Sequence, residues 1–442
     1  MRRAAIVLSI LVFGGLILIS CGGSSSPSSN KTSGLKFRAL VSQDVCAPTA
    51  IPGLGIIDAL NDLRGNVGPV GGSPYPACLG SFLPTAMVVS NDRKLTVALN
   101  DTNDHLEVVD NTSESVASAG TVILPGTTDS YVISVDNATA YVAVPAAPVP
   151  GGAGAGGIAL VNLTSGGTPA TLPIPAVHYL SQSGDGSKLL AFSDNSDSVT
   201  IVSPFNIVTG QKNATCPANV CTTVAGFDRP IFGFFSSDNT QAWILNCGWE
   251  CGGVQASVQV LDLVHGVAGQ VTPIPGGATV GFMKGQTLYV AGNPPVGQNT
   301  CAGGPTTAAT TCGRVTVIDL TNLSTTPVQP IAVIPDGYHS HIDISGNGQL
   351  FVGSTNCTNI VPANPGEEQR GCLAILNTNN GNLVIPPDNG DVTGLQPITN
   401  RTIFYVCEGG NLRIYDTTTD KIYTVIEIII FGNAVDVKLI DF

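Results

Sequence analysis

The chain has 442 residues, of which 31 are acidic and 18 basic, giving a formal net charge of −13. It contains no cluster of Lys or Arg, which argues against binding of DNA, RNA or an anionic bilayer surface through the folded part. Any attachment to a membrane must therefore come from a separate element of the sequence.

Residues 1–20 predict an export signal. Arg2 and Arg3 precede the apolar run AAIVLSILVFGGLILIS (4–20), and a basic start followed by a short apolar run is typical of a secretory signal rather than a spanning helix. The segment LISC (18–21) resembles the bacterial lipobox, which implies that Cys21 receives diacylglycerol and becomes the mature N-terminus. The alternative is an ordinary signal, or a single anchor helix, with an incidental cysteine.

The segment 21–34 follows as the lipidated cysteine and a tether, GGSSSPSSNKTSG (22–34), which has no apolar content to fold. Gly22, rather than Asp, follows the lipidation position. By analogy with enterobacterial sorting, this favours the outer membrane, with the protein facing the periplasm or the cell surface. Residues 35–442 are predicted to form a single domain.

A strand pattern of hydrophobic–x–hydrophobic–hydrophobic–Asp/Asn/Ser–x recurs eight times in this domain. The copies are IDALND (57–62), LEVVDN (106–111), IALVNL (158–163), VTIVSP (199–204), VQVLDL (258–263), VTVIDL (315–320), LAILNT (373–378) and LRIYDT (412–417). Each copy follows another short apolar strand, such as KLTVALN (94–100). Strand pairs that repeat every 40–60 residues or so are typical of a β-propeller, so an all-β fold is predicted.

Each blade is predicted to contain four antiparallel strands, A to D from the axis outward. The chain enters at a B strand, KFRALVS (36–42), and leaves through an A strand, AVDVKLI (434–440). Pairing of these two strands would close the ring and remove exposed sheet edges. The hybrid blade gives eight blades. Seven is the alternative, because the outer strand of the first blade, within 63–76, is rich in Gly and Pro.

A short polar residue ends the C strand of every blade, which at first suggests a repeated ligand. Its presence in each blade favours a structural role instead, in which the side chain accepts hydrogen bonds from the backbone N–H groups of the following turn. These residues are Asn61, Asp110, Asn162, Ser203, Asp262, Asp319, Asn377 and Asp416.

Two segments, SGDGSKLLAFSDNSDSVTIVS (183–203) and SGNGQLFVGSTNC (345–357), resemble the YVTN-type repeats of bacterial surface and periplasmic propellers. The resemblance extends over about residues 36–442 and implies a β-propeller of the lactonase-like and WD40-like kind. That family includes binding proteins and lactonase-like enzymes, so the resemblance implies a fold more strongly than an activity. This chain departs from the repeat by long, cysteine-containing insertions between strands B and C.

Twelve cysteines in an exported chain predict disulfide bonds. Four local pairs are expected, and Cys46 with Cys78 forms a fifth. With Cys21 lipidated, Cys407 is left unpaired. A metal site at CGWEC (247–251) is the alternative for one pair, but an oxidising compartment and the lack of a nearby His favour a disulfide, so no metal is predicted. The local pairs are Cys216/Cys221, Cys247/Cys251, Cys301/Cys312 and Cys357/Cys372.

The weak candidates for catalysis are His339, His341 and Asp343. They alternate on a predicted A strand, so their side chains are expected on one face, directed at the axial channel. The trio could bind a metal or act as acid and base, although a polar channel wall is the favoured interpretation. The sequence contains no nucleophile elbow, phosphate-binding loop or zinc-protease motif, and no cofactor is expected.

The favoured function is that of a non-enzymatic, lipid-anchored monomer that binds an envelope protein, a glycan or a small ligand. Its binding face is expected to be the one with the B–C connections, which lengthen at 43–56, 145–157, 246–257, 293–314 and 356–372. The alternative is a lactonase-like hydrolase, which requires three or more carboxylate, Asn or His side chains converging at one end of the channel. A purely structural role in the envelope is the third possibility.

Overall fold

The computed structural model describes most of residues 32–441. The described ranges are 32–46, 51–64, 66–67, 75–76, 78–79, 83–149, 154–208, 215–297, 311–323, 332–358, 371–386, 390–423, 428, 430 and 432–441. The predicted signal peptide, Cys21 and most of the tether lie outside these ranges. Among the described residues, no helix is long and apolar enough to cross a bilayer.

Eight four-stranded antiparallel sheets form a ring, so the chain is an eight-bladed β-propeller and the seven-blade alternative is excluded. From the axis outward, blade 1 contains Ala434–Leu439, Arg38–Cys46, Ile51–Asp58 and Leu63–Arg64; blade 2, Pro84–Val89, Leu95–Asn100, His105–Asp110 and Ser115–Ile123; blade 3, Ser130–Ile133, Thr139–Val144, Gly157–Asn162 and Ala170–Pro173; and blade 4, Val177–Gln182, Leu189–Ser193, Ser198–Val202 and Cys221–Ala225. Blade 5 contains Pro230–Phe235, Gln241–Asn246, Ser257–Asp262 and Val267–Pro273; blade 6, Val280–Lys284, Thr287–Gly292, Gly313–Asp319 and Ala332–Ile334; blade 7, Tyr338–Ile344, Gln349–Thr355, Leu373–Asn377 and Leu383–Val384; and blade 8, Val392–Pro397, Ile403–Glu408, Asn411–Asp416 and Lys421–Ile422.

A few short elements lie outside this pattern. The strand Cys78–Leu79 also pairs with the C strand of blade 1, and Asn66–Val67 pairs with Tyr75–Pro76. Two short 3₁₀ helices cover Pro204–Asn206 and Gly248–Cys251.

The ring closes as predicted, by antiparallel pairing of the last strand with the first, in which Ala39 faces Leu439 and Val41 faces Val437. Arg38 strengthens this closure. Its guanidinium donates to both carboxylate oxygens of Asp441, at 2.7 and 2.9 Å, and to Glu114 of blade 2 at 2.8 Å. The first and last strands of the ring are thereby held in one blade, and no sheet edge faces solvent at this seam.

Polar residues at the ends of the C strands organise the next turn, as predicted. In blade 5, for example, one carboxylate oxygen of Asp262 accepts from the backbone N–H groups of Val264 and His265, at 2.8 and 2.9 Å. The same arrangement, with an acceptor two residues before a backbone donor, occurs at Asp110, Asn162, Asp319, Asn377 and Asp416.

Two of the eight expected turn residues behave differently. In blade 1 the C strand ends at Asp58, which accepts from the backbone N–H of Leu60 at 3.0 Å, so the prediction of Asn61 was wrong by three residues. In blade 4, Ser203 precedes a 3₁₀ helix and makes no side-chain cap.

The core consists of apolar clusters between the faces of neighbouring blades rather than one central core. Phe351 of blade 7 stacks on Phe404 of blade 8 with ring centroids 3.8 Å apart, and both side chains are fully buried. This packing follows from the two-residue period of the strands, which directs alternate side chains to opposite faces of each blade. The ring is therefore a rigid frame around its axis.

Candidate functional site

The A strands of blades 2, 4, 5, 7 and 8 carry a β-bulge at their second or third residue, and in blade 1 the register also shifts between Ala434 and Val437. The bulged residue has no Cα partner in the B strand. In blade 4, for example, Val177 faces Ser193 and Tyr179 faces Phe192, so His178 between them is the bulged residue. A bulge redirects a side chain and is frequent at rims and binding sites. All five bulges lie on the face formed by the B–C and D–A connections, called the B–C face below. The bulged residues are Thr85, His178, Ile231, Ser340 and Thr393.

At one of these bulges, His178 lies between two carboxylates at the mouth of the axial channel. Its Nδ1 is 2.7 Å from Asp194 and its Nε2 is 3.3 Å from Asp129. Asn103 donates to the second oxygen of Asp129 at 2.7 Å. These four residues, here called the mouth cluster, come from blades 2, 3 and 4. The hydrogen bonds to Asp129 and Asp194 raise the pKa of His178, and the bond from His178 lowers the pKa of Asp129.

In the mouth cluster, carboxylate, Asn and His side chains converge at one end of the channel. This is the geometry that the hydrolase alternative requires. Both imidazole nitrogens of His178 are occupied by carboxylates, which leaves neither free for a metal. Within the described part of the chain, no group of three His, Cys, Asp or Glu side chains is placed to hold a metal ion.

Two tyrosines meet beside the mouth cluster. Tyr338, at the start of the A strand of blade 7, lies close enough to Tyr179 of blade 4 to contribute to the raised pKa of Tyr179. The ring of Tyr179 also stacks on His178, with centroids 4.2 Å apart. A small cavity of about 210 Å³ lies here, lined by both tyrosines, His178, Asp194 and Arg229. Because blades 4 and 7 are not neighbours, the tyrosine pair spans part of the channel mouth.

A larger cavity of about 790 Å³ lies along the axis. It is lined by the A strands of blades 2 to 6, from Asp129 at the B–C face to Asn239 in an A–B turn on the opposite face. One stretch of its wall is aromatic and apolar, with Phe232, Phe234 and Met283. Its volume lies within the range of about 300–1,000 Å³ that is usual for small-molecule sites.

The A strands of blades 7 and 1 bring charged side chains to the other side of the axis. Lys438 contacts Asp436 at 2.8 Å, and both influence the pKa of His341. Blade 8 separates these two blades, so the side chains must reach towards the axis. Asp436 also accepts from the backbone N–H of Met87 in blade 2 at 2.8 Å, which fixes its position.

The structure does not bring His339, His341 and Asp343 together on one face. The bulge at Ser340 interrupts the alternation on which that expectation rested. His339 is 1% exposed, its Nε2 donates to the carbonyl oxygen of Pro335 at 2.9 Å, and burial lowers its pKa to about 4. Burial also lowers the pKa of His341 to about 4 and raises that of Asp343 to about 6.

Three of the predicted disulfides are present: Cys216–Cys221, Cys247–Cys251 and Cys357–Cys372. Cys312 is also disulfide-bonded, and Cys407 is a buried free thiol. The side chains of Cys46 and Cys78, and all of Cys301, lie outside the described residues. Disulfide bonds indicate an oxidising, exported environment.

Disulfide-braced B–C connections contact each other at the rim. Within the short loop closed by Cys247–Cys251, Trp249 donates to the carbonyl oxygen of Asn293 at 3.0 Å, and Glu250 accepts from the side chain of Asn293 at 2.9 Å. Asn293 in turn donates to the carbonyl oxygen of Gly337 at 2.7 Å, next to Tyr338. The first B–C connection, in contrast, is shorter than predicted, because its strands extend through Cys46 and resume at Ile51.

Sequence reasoning missed the mouth cluster and the tyrosine pair. Two signals could have pointed to them. The segment VHYLSQ (177–182) places a His near the start of an A strand, as YHSHIDI (338–344) does, and Asp194 directly follows a B strand. The start of an A strand and the end of a B strand share the B–C face in every blade, so polar residues at both positions are candidates for one site.

No protein-family model and no curated protein matches the sequence. Solved structures do match. Dihydro-heme d1 dehydrogenase NirN in complex with DHE is 12% identical, with 92% of this chain and 75% of that chain covered and a TM-score of 0.57. The Dos1 propeller is 11% identical, with 79% and 85% covered and a TM-score of 0.55. A 6-phosphogluconolactonase-like protein from Bacteroides fragilis NCTC 9343 is 13% identical, with 93% and 99% covered and a TM-score of 0.48.

These similarities concern the fold alone. Because the sequences are only 11 to 13% identical, the role of a residue in those proteins cannot be transferred to this chain. The TM-score of 0.48 is too low to support an argument about activity. As many as 1201 solved chains match, so a match does not distinguish one function from another. The chain is an eight-bladed β-propeller, a class in which function has to be argued from the site.

Proposed function

We propose that this protein is a lipid-anchored binding protein of the bacterial cell envelope that holds a small, mainly apolar ligand in its axial cavity. The observation that carries the proposal is the cavity of about 790 Å³ inside a rigid ring. Its wall contains Phe232, Phe234 and Met283, which are only partly buried by protein. Apolar surface left uncovered inside a cavity is typical of ligand sites.

The proposed location at the cell envelope is inferred from the N-terminal segment of the sequence. Lipidation of Cys21, followed by a tether to residue 34, would leave the propeller as a monomer at the membrane surface, and Gly22 favours the outer membrane. The B–C face, with its disulfide-braced connections, remains the candidate surface for an envelope protein or a glycan. The B–C face also contains the mouth cluster. A small ligand entering the axial cavity and a partner bound to this face would therefore approach the same end of the axis.

The proposal is tested by filling the cavity. Gln182 lines the cavity and its side chain is partly exposed, so Gln182→Trp should occupy part of the space. The matched control is Val116→Trp, which places the same indole on the outer strand of blade 2, where Val116 is 41% exposed. Ligand-observed NMR with small neutral aromatic molecules, such as benzyl alcohol, should show saturable binding to the wild type and to the control, and weaker binding to Gln182→Trp. Absence of saturable binding, or equal binding by both variants, would refute the proposal.

A lactonase-like hydrolase is the second candidate, favoured by the position of His178 between Asp129 and Asp194. The carboxylate of Asp129, which is 60% exposed and held by His178, could take a proton from an attacking water. If so, the wild type should hydrolyse simple lactones, and Asp129→Asn should lower kcat by roughly 100-fold or more, the usual contribution of general base catalysis. A wild-type rate equal to that of buffer would exclude this candidate.

A further inference from the structure

We infer that the ligand of the axial cavity is an organic cation, a molecule with an apolar body and one positively charged group that Asp129 receives. This inference rests on the proposed function and deepens it, because it assigns the chemical class of the ligand. It is carried by the exposed charge of Asp129 at the B–C end of the cavity and by the aromatic wall of the cavity.

Asp129 is the one charged side chain among the described residues that line the axial cavity. Its side chain is 60% exposed, so its carboxylate is accessible to a ligand. The pKa of Asp129 is lowered, mainly by its hydrogen bond with His178, which keeps the carboxylate ionised at neutral pH. A cavity with this lining favours a positive charge at the B–C end and would repel an anion.

His178 does not cancel this negative charge. It is shared between two carboxylates and lies closer to Asp194, at 2.7 Å, than to Asp129, at 3.3 Å. Even with His178 fully protonated, the three groups together carry a net charge of −1. The remaining contact of Asp129 is with the neutral side chain of Asn103. One negative charge is therefore available to a ligand.

The wall of the cavity indicates that the rest of the ligand is apolar. Phe232 and Phe234 pack edge to face, with centroids 5.1 Å apart, and Met283 lines the same cavity. Aromatic rings attract cations through their electron-rich faces, and they also bury hydrocarbon surface. The combination of a carboxylate with aromatic side chains is suited to an ammonium group attached to an aromatic or aliphatic body.

The test compares three probes of nearly equal shape and different charge, namely benzylammonium, benzyl alcohol and benzoate. Their affinities for the full-length protein are measured at pH 7 by ligand-observed NMR. Benzylammonium should bind most tightly, benzyl alcohol less tightly and benzoate least. Asp129→Asn should weaken benzylammonium by on the order of ten-fold, to the level of benzyl alcohol, without changing the affinity for benzyl alcohol.

The matched control is Asp104→Asn. Asp104 also lies on the B–C face and contacts a histidine, His105, but it does not line the cavity, so this variant should retain the wild-type order of affinities. If benzyl alcohol binds but benzylammonium binds no better, or if Asp129→Asn and Asp104→Asn behave alike, the inference is wrong and the proposed function stands. If no probe binds, the proposed function fails as well.

Discussion

Arg38 and Asp441 are separated by 403 residues in the chain and meet through paired hydrogen bonds of 2.7 and 2.9 Å. The same guanidinium reaches Glu114 in blade 2, and both acidic partners are largely shielded from solvent. This contact joins the first strand to the end of the chain and to the next blade. It thus stabilises the pairing between the first and last strands, where the ring closes.

We expect Arg38→Ala to lower the free energy of unfolding by about 3 kcal/mol, because it leaves two partly buried carboxylates without their cation. The control is Lys94→Ala, since Lys94 is 72% exposed in its pair with Asp92 and exposed pairs contribute about 0–1 kcal/mol. Urea denaturation of both variants measures the difference. Equal stability of the two variants would show that the seam does not depend on Arg38.

The turn after a C strand should depend on its polar acceptor. Asp110 accepts from the backbone N–H groups of Thr112 and Ser113 at 2.7 and 3.1 Å. Asp110→Ala should lower stability by about 1 kcal/mol, whereas Asp110→Asn keeps an acceptor oxygen and should lose less than half of that. If Asn and Ala destabilise equally in thermal or urea unfolding, the carboxylate acts through its charge and not through the turn.

Glu250 should make stability depend on pH near neutrality. Burial raises its pKa from 4.5 to about 7. A raised pKa means that the folded state holds the proton more tightly than the unfolded state does. The stabilisation is therefore fully present below about pH 4.5 and is lost as the pH rises through about 7.

Glu250→Gln mimics the protonated side chain, so the melting temperature of the wild type should fall relative to this variant as the pH rises from 5 to 8. Asp185→Asn serves as the control. The pKa of Asp185 is lowered to about 2 by hydrogen bonds from Ser187 and Ser183, so the difference between wild type and this variant should be constant over the same pH range. A constant difference for Glu250→Gln as well would contradict the assignment.

Cys407 should be unreactive in the folded protein. Its thiol is fully buried and unpaired, and burial raises its pKa well above the ordinary value, which suppresses the reactive thiolate. A maleimide reagent added without reductant should label Cys407 only after denaturation, as shown by peptide mass spectrometry. Labelling under native conditions, or a disulfide at Cys407, would contradict this prediction.

Cys21 should be required for attachment to the membrane. Cys21→Ser is expected to leave an unprocessed or soluble precursor, and inhibition of lipoprotein signal peptidase with globomycin should cause the full-length form to accumulate. Fractionation and mass spectrometry of the mature N-terminus measure both effects. An unmodified N-terminus at another residue would exclude lipidation at Cys21.

Much of the fold could be predicted because its signals are local. Strands with a two-residue period, separated by turns rich in Gly, Asn and Asp, identify blades without reference to distant residues. The error at Asn61 shows the limit of this reasoning. The segment LGIID (54–58) fits the same pattern as IDALND (57–62), and only the pairing of Ile57 with Ala39 in the B strand decides that the C strand ends at Asp58.

The candidate site was less predictable. The spacing of His339 and His341 predicts one shared face, but the bulge at Ser340 gives them different surroundings. No spacing pattern marks His178 as a site residue, although the structure places it between Asp129 and Asp194. A bulge is decided by the pairing of two whole strands, so spacing within one strand cannot reveal it.

The sequence by itself determined the class of fold, the number of blades favoured, the closure of the ring and most of the residues that shape its turns, because strands and turns depend on neighbours in the chain. The tertiary structure decided which side chains share the axis. Asn103, Asp129 and His178 come from three blades, and Tyr338 reaches Tyr179 from a fourth. Their contacts exist because the ring brings the ends of inner strands together, and that convergence depends on how all eight blades pack.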